Sequence, residues 1–294
     1  MFRRWLFPFL LLSLPLLLSG CFRRWRMTER DLQRHYATRP ARPTYHTIDA
    51  GGMNLFCAAI GADTLPPLLL IHGAPGSWYG YLRLMDDSLL YRRYQIIAVD
   101  RPGYGRSKKK GVRRRQLTDL RQQAEWIAAS LQLNRSGKPA VVLGRSFGAP
   151  IAARLAILYP ENVRHLYMLA PAIDPDREKF WWFSRAGRFP LIRLFLHDQI
   201  NMATDEKFAH VRQLRQLDTL WTDVRATVTV MQGGRDWLVD PENLNYARRV
   251  LTGRRAEFIY LPQAGHLISN SHPALVRELL LRGSECDDVI AEAP

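Results

Sequence analysis

A serine between two glycines follows a short apolar run and could act as a nucleophile. Residues 141–143 form the run, G-R-S-F-G at 144–148 follows directly, and residues 150–156 have a pattern typical of a helix. We predict a sharp strand-to-helix turn, in which Gly144 and Gly148 make room for neighbouring backbone and Ser146 is presented in the open. The same pattern also occurs by chance, so the alternative is a glycine-rich turn with an ordinary serine.

A serine hydroxyl needs a base to remove its proton, and the base needs a third group to orient it. Two later β-branched or apolar runs end in suitable residues: 228–232 leads into G-G-R-D, and 258–261 leads into P-Q-A-G-H. We therefore predict that Ser146 is the nucleophile, His266 the base, and Asp236 the acid that holds the imidazole.

A further apolar run, 68–71, leads into H-G-A-P-G at 72–76. This loop and the chain order serine, aspartate, histidine resemble those of the α/β-hydrolase family, in the lineage that carries an H-G-x-P-G loop. The resemblance covers roughly residues 46–282. It implies an α/β class fold: a mostly parallel eight-stranded sheet flanked by helices, with a short helical cap after strand six. It also implies an oxyanion hole made by the backbone N–H groups of Ala74 and Phe147, and a structural role for D-R-P-G-Y-G-R-S at 100–107.

The resemblance also narrows the reaction. Haloalkane dehalogenases and epoxide hydrolases of this lineage carry aspartate at the nucleophile position, and Ser146 argues against both. We expect a carboxylester hydrolase (EC 3.1.1) acting on small or lipid-like acyl esters through an acyl-enzyme, with no metal or redox cofactor. A thioesterase, lactonase, C–C hydrolase or aminopeptidase with the same triad is the alternative, as is a non-catalytic lipoprotein binding module. Asp240 and Asp174 are alternatives to Asp236.

The remaining histidines and cysteines carry no motif of their own. His72 is expected to be structural because it begins the H-G turn. We expect the other histidines to be structural or on the surface, namely His35, His46, His165, His197, His210 and His272. Cys57 and Cys286 are expected to be free.

Composition describes one large, basic globular chain. Its 294 residues are 47% hydrophobic and 23% charged, with a formal net charge of +15. Such a length can form a single domain, and such a charge favours polyanions. No nucleic-acid motif is present, and the N-terminal segment described next resembles a membrane-targeting signal. We therefore favour an anionic membrane over nucleic acid as the partner, and we expect a monomer.

The first 21 residues resemble a bacterial lipoprotein signal. Arg3 and Arg4 precede an apolar run at 5–18, and L-S-G-C at 18–21 resembles a lipobox. We predict that Cys21 is the lipid anchor, as in envelope lipoproteins, and that the protein lies at the outer membrane if the cell is Gram-negative. The alternative is an uncleaved inner-membrane anchor, although the run is shorter than the roughly 20 residues of a membrane-spanning helix.

We divide the rest of the chain as follows. Residues 22–43 are predicted to be a basic tether in which little packs, residues 44–173 and 224–283 the hydrolase core, and residues 284–294 a loose acidic tail. The predicted helical cap, 174–223, is rich in aromatic residues. It either roofs an acyl- or aryl-binding pocket, or lays its segment 180–195 into a bilayer interface. The basic loop 108–115 either attracts an anionic group or is inert.

The patterns predict these elements: strands at 45–49, 53–59, 68–71, 94–99, 141–143, 164–169, 228–232 and 258–261, and helices at 78–90, 117–133, 241–251 and 272–282.

Overall fold

The structure, a computed structural model, describes residues 27–109, 111 and 114–285. Its centre is a sheet of eight main strands: β1 (Thr44–Asp49), β2 (Met53–Ile60), β3 (Pro67–Ile71), β4 (Gln95–Val99), β5 (Ala140–Arg145), β6 (Val163–Leu169), β7 (Thr227–Gly233) and β8 (Ala256–Leu261). Their spatial order is β1-β2-β4-β3-β5-β6-β7-β8, and a two-residue strand, Lys108–Lys109, pairs with β2. Only the β1–β2 and β2–β4 pairs and that short strand are antiparallel. The predicted mostly parallel, eight-stranded sheet is confirmed.

The helices flank this sheet. The longer ones, with the short cap helices, are α1 (Glu29–Tyr36), α2 (Leu120–Ala128), α3 (Gly148–Leu158), α4 (Trp182–Ala186), α5 (Pro190–Phe195), α6 (Asp198–Asp218), α7 (Asn243–Val250) and α8 (Pro273–Glu285). Single helical turns occupy Trp78–Tyr81, Leu82–Met85, Ser88–Tyr91, Arg114–Leu117, Ala129–Leu133, Pro160–Asn162, Trp221–Asp223 and Ile268–Ser271. No helix in the described ranges is both long and apolar enough to cross a membrane.

The core lies on both faces of the sheet because alternate strand residues point to opposite sides. In β3, Leu69 and Ile71 pack in one buried cluster, whereas Leu68 and Leu70 pack in another. All four side chains are fully buried. The central strands are therefore continuous apolar runs, as expected for a parallel sheet covered on both faces.

Two predicted helices are each divided. The predicted helix 78–90 is interrupted because the Asp87 carboxylate accepts a hydrogen bond from Leu89 N–H and so caps a new turn. The predicted helix 117–133 begins again at Leu120, where the Asp119 carboxylate accepts from Gln122 N–H. In both cases an aspartate side chain competes with the continuing helix for a backbone N–H group.

The segment expected to be a tether is partly folded. Within 22–43, α1 begins with a capping box in which Thr28 and Asp31 each accept a hydrogen bond from the other's backbone N–H. Leu32 and Tyr36 of α1 are buried in the core cluster that includes Phe56. The expectation that little of this segment packs is therefore wrong for α1. Residues 22–26 lie outside the described residues, as do the signal segment 1–21 and most of the tail.

Candidate active site

Ser146 lies in a sharp turn between β5 and α3. Its φ is 55°, a left-handed conformation that side chains adopt rarely and that costs on the order of 1–3 kcal/mol. A Cβ atom at Gly148 would lie 2.3 Å from the Ile71 carbonyl oxygen, and one at Gly144 would lie 2.5 Å from the Gly148 carbonyl oxygen. Only glycine fits at either position, which is why the turn can be this tight.

His266 and Asp236 meet beyond the ends of β8 and β7. The His266 Nδ1 atom lies 2.8 Å from Asp236 Oδ2, and Asp236 is buried. Asp236 Oδ1 accepts hydrogen bonds from the backbone N–H groups of Leu238 and Val239, each at 3.0 Å. Because a carboxylate only accepts, Nδ1 of His266 must donate, and Nε2 is left as the unprotonated nitrogen of the neutral ring.

The two alternative acids have other partners. Asp240 pairs with Lys179 through Oδ2, with an N–O distance of 3.3 Å. Asp174 is buried, and its Oδ1 accepts from the backbone N–H of Asp176. The histidine at the end of β8 therefore bonds to Asp236 and to neither alternative.

Ser146 and His266 line the same cleft, of about 130 Å³, beneath the cap. The cleft brings together the predicted nucleophile and base, and the predicted acid, Asp236, bonds to His266 from outside the lining. The other lining residues are apolar, basic, acidic or polar and uncharged. They are Ala172, Ala203, Leu238 and Val239; Arg177, Lys179 and Lys207; Asp174 and Glu178; and Asn243 and His210. Lys207 pairs with Glu178, so part of this charge is neutralised within the cap.

Ala74 and Phe147, the two residues predicted to supply oxyanion donors, also line this cleft. Phe147 immediately precedes α3, at the end of the helix where N–H groups lack intrahelical acceptors. The loop before Ala74 lies against the serine, because a Cβ at Gly73 would be 3.0 Å from Ser146 Cβ. This arrangement suits the stabilisation of negative charge beside the Ser146 side chain.

His72 fixes this loop. Its Nδ1 lies 2.7 Å from the Gly73 carbonyl oxygen, and its Nε2 accepts from the Arg101 backbone N–H at 3.0 Å. Burial, and then the charge of Arg101, hold the pKa of His72 well below its ordinary value. Both ring nitrogens of the neutral side chain are occupied, so His72 is structural.

The turn at 100–107 is structural too. Asp100 is buried and accepts hydrogen bonds from Ser77 Oγ, Trp78 N–H and Arg106 N–H. Ser107 Oγ donates to the Asp100 carbonyl oxygen and accepts from Phe56 N–H.

A buried ion pair joins the cap to the loop at 72–76, and sequence reasoning missed it. Arg101 Nη1 and Nη2 lie 2.7 and 3.0 Å from the two carboxylate oxygens of Glu206 in α6. Tyr104 Oη and Gln123 Nε2 also donate to Glu206, and Arg101 Nη2 donates to the Gly73 carbonyl oxygen at 3.2 Å. Arg101 and Glu206 have 0% exposed side chains. Burial lowers the pKa of Arg101 and Glu206 raises it, with a net rise.

His210 is the second residue that the sequence did not assign to the site. It follows Glu206 by one turn of α6, its ring lies 4.3 Å from that of Phe147, and its Nε2 donates to the Ala172 carbonyl oxygen. Burial lowers the pKa of His210 despite the nearby Glu178. The neutral ring packs against the residue that follows the serine, so α6 contacts the turn directly.

Several predicted features lie elsewhere. Cys57 is free and buried, as expected, and burial raises the pKa of its thiol. His35 bonds to Asp86. Cys21, Cys286, and Lys110 and Arg113 of the basic loop lie outside the described residues. In the ranges that the structure covers, no group of three or more His, Cys, Asp or Glu side chains could hold a metal ion.

Comparison with known proteins identifies the architecture. A family model described as alpha/beta hydrolase fold matches residues 66–190. A candidate lipase from Acinetobacter baumannii AYE superposes with a TM-score of 0.68 and 19% identity, over 89% of this chain and 98% of that chain. The chain has the α/β-hydrolase fold. A membrane phospholipase A, described as a bacterial virulence factor, superposes with a TM-score of 0.63 and 23% identity, over 97% of this chain and 99% of that chain.

The first four sequence relatives match this chain over only part of their own length. The chain is 27% identical to epoxide hydrolase 4 of Mus musculus in an alignment 203 residues long, which covers 63% of this chain and 54% of the relative. The chain thus spans about half the length of this relative, and 26% to 40% of the next three. The family model and the structural neighbours thus agree on the α/β-hydrolase fold.

Proposed function

We propose that the protein is a serine hydrolase that cleaves carboxylic esters and works at a membrane. The observation that carries the proposal is the 2.8 Å contact between His266 Nδ1 and Asp236 Oδ2, with Ser146 presented by its left-handed turn in the same cleft. It leaves the Nε2 atom of His266 as the base that a serine nucleophile requires.

The reaction follows from these groups. As Ser146 Oγ bonds to the carbonyl carbon, its proton passes to His266 Nε2, and the carbonyl oxygen becomes an oxyanion facing the N–H groups of Ala74 and Phe147. The bond to the alkoxy leaving group then breaks, and that group takes the proton from His266. Water repeats the sequence on the acyl-enzyme, giving a carboxylic acid and free Ser146. Each oxyanion donor contributes about 3–4 kcal/mol to lowering the barrier.

The serine also bears on the choice between ester and epoxide hydrolysis. Attack of a carboxylate on an epoxide gives an ester intermediate, which activated water can cleave. Attack of Ser146 on an epoxide would give an ether, which the same water cannot cleave, so the enzyme would stop after one event. Turnover by this site therefore requires an acyl carbon.

The cleft charges favour esters over amine-terminated peptides. Arg177, Lys179 and Lys207 line the cleft against the two acidic residues Asp174 and Glu178, and Glu178 pairs with Lys207. Lys179 pairs in turn with Asp240, which leaves Arg177 and Asp174, of opposite charge, in the lining. A free amine would find no excess of carboxylates there, which disfavours an aminopeptidase.

Fluorophosphonate labelling tests the proposal. Full-length wild type should be labelled, and Ser146→Ala should not. Ser88 is an exposed serine in the turn before β4, so the Ser88→Ala variant should label like wild type. A p-nitrophenyl ester series of increasing acyl length then defines the pocket. Folded wild type that is not labelled, even with detergent or vesicles, would contradict the proposal and favour a binding module.

The membrane part of the proposal rests on the sequence of the first 21 residues, with Cys21 as the lipidated residue. Metabolic labelling with a palmitate analogue should mark wild type and spare Cys21→Ser. Equal labelling of both proteins would show that the lipid is attached elsewhere, and no labelling of either would favour an uncleaved apolar anchor.

A further inference from the structure

Large apolar side chains are exposed along the first part of the cap and at Trp237, whose ring contacts it. We call this set the cap surface: Trp181, Trp182, Phe183, Phe189, Leu191, Leu194, Phe195 and Trp237. Each is between 38% and 78% exposed. Scattered exposed apolar residues are normal, but seven large ones within 181–195 mark a surface that contacts something apolar.

Helix α5 is the clearest part of the cap surface, because its polarity is reversed. Leu191, Leu194 and Phe195 share one face at i, i+3 and i+4 spacing, and that face is exposed, with Leu194 reaching 78%. Arg193 is turned towards the protein instead, where its guanidinium bonds both carboxylate oxygens of Asp205 at 2.8 and 3.0 Å. A helix adapted to water would place these side chains the other way round.

Ring contacts connect this surface to the mouth of the cleft. Trp181 lies 6.0 Å from Trp237 and 6.4 Å from Phe183, measured between ring centroids. Trp237 follows Asp236 in the loop after β7, and its neighbour Leu238 lines the cleft. The cap surface therefore borders the entrance through which a substrate would reach Ser146.

The charges around the cap surface identify the occupant. Segment 180–195 contains Arg185, Arg188 and Arg193 and no acidic residue, and Arg185 and Arg188 are exposed. A symmetric contact with a second copy would bring these like charges together, which opposes association. An anionic bilayer supplies both an apolar boundary and the countercharge, and tryptophan is enriched at that boundary.

We propose that the cap surface docks on an anionic lipid bilayer, so that the cleft opens at the lipid interface. This inference concerns binding and does not depend on ester hydrolysis, so it is tested without substrate.

The test places a fluorophore at single positions of the full chain. In a background with Cys21→Ser and Cys286→Ser, which keeps the buried Cys57, Leu194→Cys and Leu89→Cys are each labelled with an environment-sensitive dye. Leu89 is the matched control because it is a leucine that is 53% exposed and lies outside the cap, in the turn before β4. The N-terminal apolar segment is identical in both proteins, so it cannot cause a difference between them.

In vesicles of phosphatidylglycerol and phosphatidylcholine, the dye at position 194 should shift to the blue and be quenched by nitroxide-labelled lipids, and the dye at position 89 should do neither. Equal behaviour at both positions, or no quenching at 194, would overturn the proposal. So would a blue shift at 194 that needs no lipid and grows with protein concentration, because a second copy would then cover the surface.

Charge reversal tests the choice of an anionic lipid. Arg185→Glu should weaken the quenching at position 194 in these vesicles, whereas Arg254→Glu, an exposed arginine ahead of β8, should leave it unchanged. Equal quenching in pure phosphatidylcholine by all proteins would contradict the electrostatic part of the proposal.

Discussion

Replacing Glu206 by Gln removes a charge from the buried pair with Arg101 while keeping the side-chain shape. Both side chains are 0% exposed, and Glu206 accepts four hydrogen bonds, two from Arg101 and one each from Tyr104 and Gln123. Leaving a buried guanidinium without its carboxylate costs about 3–5 kcal/mol. We expect Glu206→Gln to lower the free energy of unfolding by this amount, a large share of the 5–15 kcal/mol typical of a domain.

Urea denaturation followed by circular dichroism measures this loss, and Glu125→Gln provides the matched control. Glu125 pairs with Arg121 at 2.9 Å on the surface, where the arginine side chain is 63% exposed. Such a pair contributes about 0.2–1 kcal/mol. A Glu206→Gln protein that loses no more than Glu125→Gln would refute the view that this pair holds the cap.

A double variant separates stability from catalysis. Arg101→Met with Glu206→Leu removes both charges, and such replacements are often neutral or stabilising by about 1–4 kcal/mol. It also removes the donor to the Gly73 carbonyl oxygen beside Ser146. We therefore expect stability to recover relative to Glu206→Gln while kcat on a p-nitrophenyl ester falls below that of wild type. A wild-type kcat in this double variant would show that the pair does not position the loop at 72–76.

Three further predictions concern single residues. Gly148→Ala should destabilise the protein strongly and abolish ester turnover, because its Cβ would lie 2.3 Å from the Ile71 carbonyl oxygen; wild-type thermal stability would contradict this. Asp236→Asn should lower kcat on the order of 10⁴-fold, as in a serine protease triad, because its amide would face His266 Nδ1 and leave the proton on Nε2; a loss under tenfold would exclude this role. Burial lowers the pKa of His165 from 6.5 to about 4, so the unfolded chain takes up the proton first and stability falls as the pH drops from 6.5 towards 4. In His165→Gln, urea midpoints measured over this range should fall less steeply, and an unchanged slope would refute the assignment.

The sheet could be predicted from the sequence because its signals are local. Buried parallel strands are continuous apolar runs, and the residues that follow β5, β7 and β8 all lie at the carboxyl edge of one sheet. Ser146, Asp236 and His266 could therefore be assigned to one region from chain order and from their positions after the strands. The tight turn could also be predicted, because Gly144 and Gly148 lie between a strand pattern and a helix pattern.

The cap contacts could not be predicted in the same way, because they depend on pairings between distant residues. Arg101 and Glu206 are separated by a long stretch of chain, and each alone is typical of a solvated surface residue. Helical spacing was the available signal: Met202, Glu206 and His210 follow one another at intervals of four and are buried on one face of α6. Polar residues at the buried positions of a helix indicate buried partners, but not the identity of those partners.

The packing of α1 against the core limits how far an anchored protein could reach. Because α1 begins at Glu29, only residues 22–28 would separate a lipid on Cys21 from the folded domain. At roughly 3.5 Å per residue, this connecting segment is at most about 25 Å long. It is shorter than the diameter of the domain, which is on the order of 45 Å. If Cys21 carries a lipid, so short a tether would hold the folded domain beside the membrane that anchors it, at a high local concentration.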